Sequence, residues 1–321
     1  MVARDRECCT ETALPSQPLP PPGRLFDIGG RRLHGLAVGR DRPAVVFESG
    51  GGGGSAVQDL VVQRLVAPFA RAIIYDRAGL GWSDPQPPGR SFLERADDLH
   101  ALLQAMGEAP PYIVVGASFG GLTARAFSYR YPDEVAGMVL LDAAEEQKYF
   151  PTMARMRAWH EAELRTEAGR AASGELRRRA EPLVQRVRGF TDQEKAWLLE
   201  ILDRPSHFLA ALEELSAIDS TPPQMKVAGG FGRLGDKPLI VLSADKPVTG
   251  DMAVWQEGAA EGQARLAALS SNSAHITGVG LGHSIALERP ALVVAAVEAV
   301  LKAAAGAPLD TAEVRQLATT P

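Results

Sequence analysis

The chain has 321 residues with a formal net charge of −5, and 45% of its residues are hydrophobic. These values are ordinary for a globular protein, and no compact basic stripe is present that would favour a nucleic-acid partner. The two cysteines, Cys8 and Cys9, are adjacent. The sequence therefore supports neither a disulfide framework nor a structural zinc site.

The N-terminal segment 1–23 is polar and rich in proline, and it lacks the apolar stretch that forms the core of a signal peptide. We expect this segment to be a disordered tail. No later run is long and apolar enough to span a bilayer. The sequence therefore predicts a cytoplasmic protein without a membrane span, although a leader already removed would leave the same pattern.

Short apolar runs alternate with helical patterns along most of the chain. In chain order, the pattern predicts strands at 32–38, 44–47, 72–75, 113–115, 135–141, 238–242 and 274–279, and helices at 57–66, 92–106, 119–129, 253–269 and 292–304. Strands that alternate with helices indicate a mainly parallel sheet. The near-continuous apolar strands further indicate that helices cover both faces of the sheet, in an α/β fold.

Residues 145–225 break this alternation, because they show helical periodicity without a strand pattern. We interpret this segment as a helical cap inserted between two strands. The α/β core then consists of residues 24–144 and 226–305, and residues 306–321 form a C-terminal tail.

The most informative motif is Gly116-x-Ser118-x-Gly120, which follows an apolar strand and precedes a helical pattern. A serine at the apex of a strand–turn–helix is typical of a nucleophile elbow. The two glycines allow the strand and the helix to approach closely. The alternative interpretation is a structural Gly/Ser turn between a buried strand and a helix.

A serine nucleophile needs an adjacent base and an acid that orients the base. His283 follows the last predicted strand and is our candidate base. Asp245 follows the strand 238–242, and we prefer it as the acid because it fits the order serine, acid, histidine. Asp142 also follows a strand and is the alternative acid, although it directly precedes the cap and could instead cap a helix.

Acyl transfer also needs donors for a developing oxyanion. One donor is expected from the backbone N–H of Phe119, the residue after the nucleophile. The glycine run 50–54 follows an earlier strand and can turn bare N–H groups toward the site. We select Gly51 as the second donor, with Gly52 next. The run lacks the pattern of a phosphate-binding loop.

These motifs resemble the α/β-hydrolase superfamily. The resemblance rests on residues 47–51, 75–84, 116–121, 244–245 and 282–283. It implies a branch that includes esterases, haloperoxidase-like enzymes, proline iminopeptidases and carbon–carbon bond hydrolases. Ser49 stands where many members of that branch carry the histidine of a His-Gly pair, and the pair Asp76-Arg77 is expected to be structural. Relatives that cleave haloalkanes or epoxides carry aspartate at the elbow, so Ser118 implies acyl chemistry.

The preferred hypothesis is a serine hydrolase that cleaves a carboxylic ester or a related acyl compound with an apolar part, without a metal or an organic cofactor. One alternative is an aminopeptidase, an amide hydrolase or a carbon–carbon bond hydrolase. Acidic cap residues could bind the amine of a peptide substrate; the candidates are Glu161, Glu163, Glu213 and Glu214. The other alternative is a non-catalytic ligand-binding receptor on the same fold.

Overall fold

The computed structural model describes residues 19–227 and 229–320. Most of the predicted N-terminal tail, with Cys8 and Cys9, lies outside the described residues. The last few residues of that segment contact the rest of the protein, because the Trp197 indole N–H donates to the Pro20 carbonyl at 2.9 Å.

Within the described residues, eight strands form one sheet in the order β1-β2-β4-β3-β5-β6-β7-β8. The strands are β1 Arg24–Asp27, β2 Arg32–Val38, β3 Ala44–Glu48, β4 Ala72–Tyr75, β5 Tyr112–Ala117, β6 Val135–Leu141, β7 Leu239–Ala244 and β8 Ser273–Gly278. All neighbours from β4 to β8 pair in parallel, whereas β2 pairs antiparallel with both β1 and β4. The predicted α/β fold with a mainly parallel sheet is confirmed.

Helices cover both faces of this sheet. The helices of the core are α1 Leu60–Val66, α2 Phe92–Met106, α3 Gly120–Arg130, α9 Ala259–Ala267, α10 Ile285–Glu288, α11 Pro290–Ala304 and α12 Ala312–Thr319. Alternate residues of the central strands enter two separate hydrophobic clusters: Val114 packs with residues of α2 and α3, whereas Ile113 packs with residues of α1 and α11. Both faces of each central strand are therefore buried, which explains the continuous apolar runs.

In the part of the chain between β6 and β7 that the structure describes, where the sequence predicts the cap, there are five α-helices. They are α4 Glu146–Ala172, α5 Glu175–Val184, α6 Asp192–Leu202, α7 Pro205–Glu214 and α8 Ala217–Ser220. A capping box starts α6, in which the Thr191 hydroxyl accepts from the Glu194 N–H and the Glu194 carboxylate accepts from the Thr191 N–H.

Strand β1 and helices α10 and α12 are absent from the pattern read from the sequence. Strand β1 was not predicted, because its four residues are largely exposed and carry no clear alternation. The segment predicted as a C-terminal tail contains α12, whose Val314 and Ala318 are buried. The Ala318 carbonyl accepts from the Val279 N–H at 2.9 Å, which ties α12 to the loop after β8. Within the described residues, no helix is long and apolar enough to cross a membrane.

Candidate active site

Ser118 lies at the sharp turn between β5 and α3, where the sequence motif predicts a nucleophile elbow. Its φ is 50°, in the left-handed region that a serine rarely adopts. The two motif glycines have no room for a side chain: a Cβ on Gly116 would lie 2.8 Å from the Gly121 Cα, and one on Gly120 would lie 2.3 Å from the Glu48 carbonyl oxygen. The glycines thus permit the close packing that holds the serine in a strained conformation.

His283 contacts the serine from the loop between β8 and α10. Its Nε2 lies 2.9 Å from the Ser118 Oγ, within hydrogen-bond distance. Its Nδ1 lies 2.6 Å from the Asp142 Oδ2. The histidine side chain is 58% exposed and that of Asp142 is 20% exposed, so the imidazole is accessible to solvent while the carboxylate is largely covered.

The carboxylate beside His283 therefore belongs to Asp142, whereas we preferred Asp245 from the sequence. The Asp245 carboxylate is exposed and accepts a hydrogen bond from the Leu281 N–H at 3.2 Å. The backbone N–H of Asp245 in turn donates to the Leu281 carbonyl at 3.0 Å. Asp245 thus hydrogen-bonds to the loop that carries His283 and does not contact the imidazole.

Sheet register explains why Asp142 reaches the site. Strand β6 is the direct neighbour of β5, and Ala117 pairs with Leu141, so the residues that follow them, Ser118 and Asp142, are side by side. Asp142 also has a positive φ, of 41°. The Ala144 N–H donates to the Ser118 carbonyl at 2.9 Å and joins the two turns.

The second oxygen of the Asp142 carboxylate is also bound. Its Oδ1 accepts from the Ala244 N–H at 3.3 Å, at the end of β7. The Asp142 N–H donates to the Leu242 carbonyl at 2.7 Å. One carboxylate oxygen is thus held by the sheet and the other faces His283, which fixes the orientation of the carboxylate.

The predicted donors for an oxyanion lie next to each other. Gly50 is beside Ser118, because a Cβ built on Gly50 would lie 3.7 Å from the Ser118 Cβ. A Cβ on Gly51 would lie 2.8 Å from the Phe119 Cβ, whereas one on Gly52 would meet nothing within 4 Å. The N–H groups of Gly51 and Phe119 make no hydrogen bond to another residue that the structure describes. Gly51 therefore fits the predicted position better than Gly52 does.

A buried ionic cluster lies behind the loop of residues 49–54, and the sequence analysis did not predict it. Arg77 forms ion pairs with Glu48, at the end of β3, and with Glu214, at the end of α7. Arg95 pairs with the same Glu214 carboxylate. The Tyr75 hydroxyl hydrogen-bonds to Glu48. Because Arg77 and Glu214 are 137 residues apart, only the charged Glu48 at the end of an apolar strand could have suggested the cluster.

Two more buried carboxylates organise the surroundings of the loop. Asp76 contacts the ring of His34 at 2.7 Å and accepts from the Ala56 N–H at 2.9 Å, which agrees with the expected structural role. Asp59 accepts from the Ser49 hydroxyl at 2.6 Å. Burial raises the pKa of Asp59 to about 6, against the opposing effect of the Ser49 hydrogen bond.

A sequence profile of the family described as the alpha/beta hydrolase fold matches residues 43–236, which are more than half of the chain. The chain belongs to the α/β-hydrolase fold family. Among residues 19–227 and 229–320 of this α/β-hydrolase, no group of three His, Cys, Asp or Glu side chains is arranged to hold a metal ion.

Curated relatives of this α/β-hydrolase match it over limited stretches. A probable transporter, efuK of Hormonema carpetanum, is 36% identical over 133 residues, which are 39% of this chain and 19% of that protein. A proline iminopeptidase of Arabidopsis thaliana is 32% identical over 101 residues, which are 30% of this chain and 26% of the iminopeptidase. The chain spans less than half the length of these relatives.

Solved structures match the hydrolase over most of its length. An esterase from Thermogutta terrifontis has a TM-score of 0.60 at 20% sequence identity, over 85% of this chain and 94% of the esterase. At this level of identity the likeness shows the fold, while function has to be argued from the site.

Proposed function

We propose that this α/β-hydrolase is a serine hydrolase that cleaves a carboxylic ester or a related acyl compound through a Ser118–His283–Asp142 triad. The observation that carries the proposal is the continuous contact from the Ser118 Oγ through the His283 ring to the Asp142 carboxylate, at 2.9 and 2.6 Å. Nucleophile, base and orienting acid at these distances are what activates a serine hydroxyl.

In the proposed reaction, the Ser118 Oγ attacks the carbonyl carbon of the ester while its proton passes to the His283 Nε2. Asp142 accepts a hydrogen bond from the Nδ1–H, holds the productive tautomer and stabilises the imidazolium. The tetrahedral intermediate collapses, and His283 gives the proton to the departing alcohol. Water then attacks the acyl-enzyme with His283 as base, and the acid is released with Ser118 restored.

The N–H groups of Gly51 and Phe119 are proposed to bind the oxyanion of both tetrahedral intermediates. Their support is the position of Gly51, on which an added Cβ would lie 2.8 Å from the Phe119 Cβ, together with the lack of other partners for both N–H groups among the described residues. Donors fixed before the reaction stabilise the negative charge without reorganisation, and each is worth about 10²–10³ in kcat.

The acidic cap residues do not favour an amine-binding site. The Glu214 carboxylate is buried and paired with Arg77 and Arg95. Glu161 pairs with Arg157 within the same helix. The other two candidates, Glu163 and Glu213, are exposed on helix surfaces. An ester therefore fits these surroundings better than a peptide with a free amino terminus.

A labelling experiment with the full chain tests the proposal. Wild type should hydrolyse a short p-nitrophenyl ester through repeated turnovers and react covalently with a fluorophosphonate at Ser118. The Ser118→Ala variant should lose both, whereas Ser220→Ala, at an exposed cap serine, should keep both. Labelling that persists in Ser118→Ala would remove Ser118 as the nucleophile. A single slow turnover with the ligand retained would instead favour the receptor alternative.

A further inference from the structure

Side chains from outside the oxyanion loop, residues 49–54, hold three of its carbonyl groups. Arg77 Nη1 donates to the Ser49 carbonyl at 2.6 Å, and Nη2 donates to the Gly50 carbonyl at 2.7 Å. His207 Nε2 lies 2.8 Å from the Gly53 carbonyl oxygen. In a trans peptide the C=O of one residue and the N–H of the next point in opposite directions. Holding the Ser49 and Gly50 carbonyls therefore fixes the direction of the next two N–H groups.

A run of glycines does not fix these directions by itself. Glycine has access to more backbone conformations than any other residue, so residues 50–54 lose much conformational entropy when they order. Gly52 and Gly53 both have positive φ, of 68° and 96°. The orientation of the N–H groups must therefore be imposed by groups that pack against the loop.

Arg77 is suited to this task because its own position is fully determined. Its Nε donates to Glu214, Nη1 donates to Glu48 as well as to the Ser49 carbonyl, and Nη2 donates to Glu214 as well as to the Gly50 carbonyl. These contacts use all the N–H directions of the guanidinium fork. Burial opposes the charge of Arg77, but Glu214 and Glu48 outweigh burial and raise the arginine pKa. Lysine could not make these contacts.

The cap reaches the loop a second time through His207. The Gly81 N–H donates to the His207 Nδ1 at 2.9 Å, so the proton of a neutral ring is on Nε2 and is donated to the Gly53 carbonyl. Burial lowers the pKa of His207, which favours this neutral form. Glu214 and His207 both belong to α7, so one cap helix contacts the loop at its beginning, through Arg77, and near its end.

We propose that α7 and Arg77 position the oxyanion loop, with Arg77, Glu214 and His207 as positioning residues for catalysis. The inference rests on the proposed function, because it assigns a role in stabilising the oxyanion. The cap of this hydrolase then acts in transition-state stabilisation besides any contact with substrate. A change in the position of α7 would therefore alter kcat, although α7 does not contact the reacting atoms.

The test compares Glu214→Gln and His207→Phe with Glu167→Gln, a control that removes a cap carboxylate from an ion pair within α4. With p-nitrophenyl acetate, we expect kcat to fall by about 10- to 100-fold in the first two variants, because the oxyanion donors are misaligned. KM should change by less than about threefold, since uniform binding of the substrate is untouched. The control should match wild type.

A transition-state mimic provides a readout that a merely structural role would not move. Phenylboronic acid adds to the Ser118 Oγ, whose proton passes to His283, and one boron-bound oxygen then occupies the oxyanion position. Its inhibition constant should rise by the same factor as kcat/KM falls. A raised KM with unchanged kcat and unchanged boronate affinity would overturn the inference. If Glu214→Gln does not fold, His207→Phe decides by the same criterion.

Backbone order parameters from NMR relaxation separate failure of this inference from failure of the proposed function. Wild type that neither turns over the ester nor labels at Ser118 would refute the proposed function alone. The order parameters of the amides of residues 49–54 should still fall, from about 0.85 toward about 0.6, in Glu214→Gln, because the loop loses its support. Unchanged order parameters in a folded variant would refute the positioning role whatever the activity.

Discussion

Replacing Asp142 by asparagine tests the proposed triad most sharply, because the structure dictates how the amide would orient. The Ala244 N–H donates to Oδ1 of Asp142 at 3.3 Å, so the amide oxygen of the variant should take that position. The amide NH₂ would then face the His283 Nδ1, which lies 2.6 Å from Oδ2 in the wild type. Because an NH₂ group can only donate, Nδ1 must become an acceptor.

This exchange of roles reverses the tautomer of His283. With Nδ1 as acceptor, the proton of the neutral ring moves to Nε2, which lies 2.9 Å from the Ser118 Oγ. Nε2 can then no longer accept the serine proton. In serine proteases an Asp→Asn change that produces this wrong tautomer lowers kcat by about 10⁴. We expect the same order here, equivalent to about 5 kcal/mol in the activation free energy.

The assay is steady-state hydrolysis of a short p-nitrophenyl ester by Asp142→Asn and Asp245→Asn, with the thermal melting of both as a folding control. Among the residues that the structure describes, the Asp245 carboxylate accepts only from the Leu281 N–H, and an amide oxygen can accept the same hydrogen bond. The kcat of Asp245→Asn should therefore stay within about threefold of the wild-type value, because Asp245 makes no contact with His283 that the substitution could remove. Loss of several orders of magnitude in Asp245→Asn, with near-normal turnover in Asp142→Asn, would refute this reasoning.

Two further changes probe the oxyanion loop and its support. Gly51→Ala should lower kcat about 100-fold, because a Cβ would lie 2.8 Å from the Phe119 Cβ and separate the two donors. The control is Gly169→Ala on α4, where an added Cβ meets nothing within 4 Å. An equal loss of kcat in both variants would argue against Gly51 as an oxyanion donor. Asp59→Asn keeps an acceptor for the Ser49 hydroxyl but removes a carboxyl whose pKa burial raises from 3.8 to about 6. The folded wild type holds that proton more tightly than the unfolded chain, so wild type loses stability as pH rises from 3.8 to about 6, by about 3 kcal/mol. Urea unfolding should give the variant a larger free energy of unfolding than wild type at about pH 8, and no such advantage at about pH 4. The same difference in free energy at both pH values would contradict the raised pKa of Asp59.

Periodicity along the sequence is sufficient to predict the α/β fold, because each central strand is buried on both faces and each helix covers one face. The elbow at Ser118 and the loop position of His283 are also local features that a single sequence reveals. The choice of acid is different. Asp142 and Asp245 both follow strands and both lie between Ser118 and His283 in the chain, so chain order does not discriminate between them. The pairing of β6 with β5 decides, and register is a non-local property.

The ionic cluster behind the oxyanion loop could not be predicted from the sequence either, because its contacts are also non-local. Arg77 follows β4, whereas Glu214 ends α7, one of the helices between β6 and β7, and a single glutamate among the acidic residues of these helices gives no sign of its partner. A charged pair at such separation is recognised only when both members are found buried together. Glu214 was considered for an amine-binding role, and burial with Arg77 and Arg95 is the physical reason to assign it elsewhere.

The contacts around the site hold two residues in strained backbone conformations. Ser118 and Asp142 both have positive φ, which costs about 1–3 kcal/mol for each residue and persists only where the surroundings enforce it. The enforcing contacts run between the two turns, through the Ala144 N–H to the Ser118 carbonyl, and from β7 to the Asp142 backbone and carboxylate. The oxyanion loop is held in the same way from Arg77. Each group of the proposed site is thus fixed by neighbours to which the proposed mechanism gives no part in proton transfer, so loss of a neighbour should appear in kcat before it appears in KM.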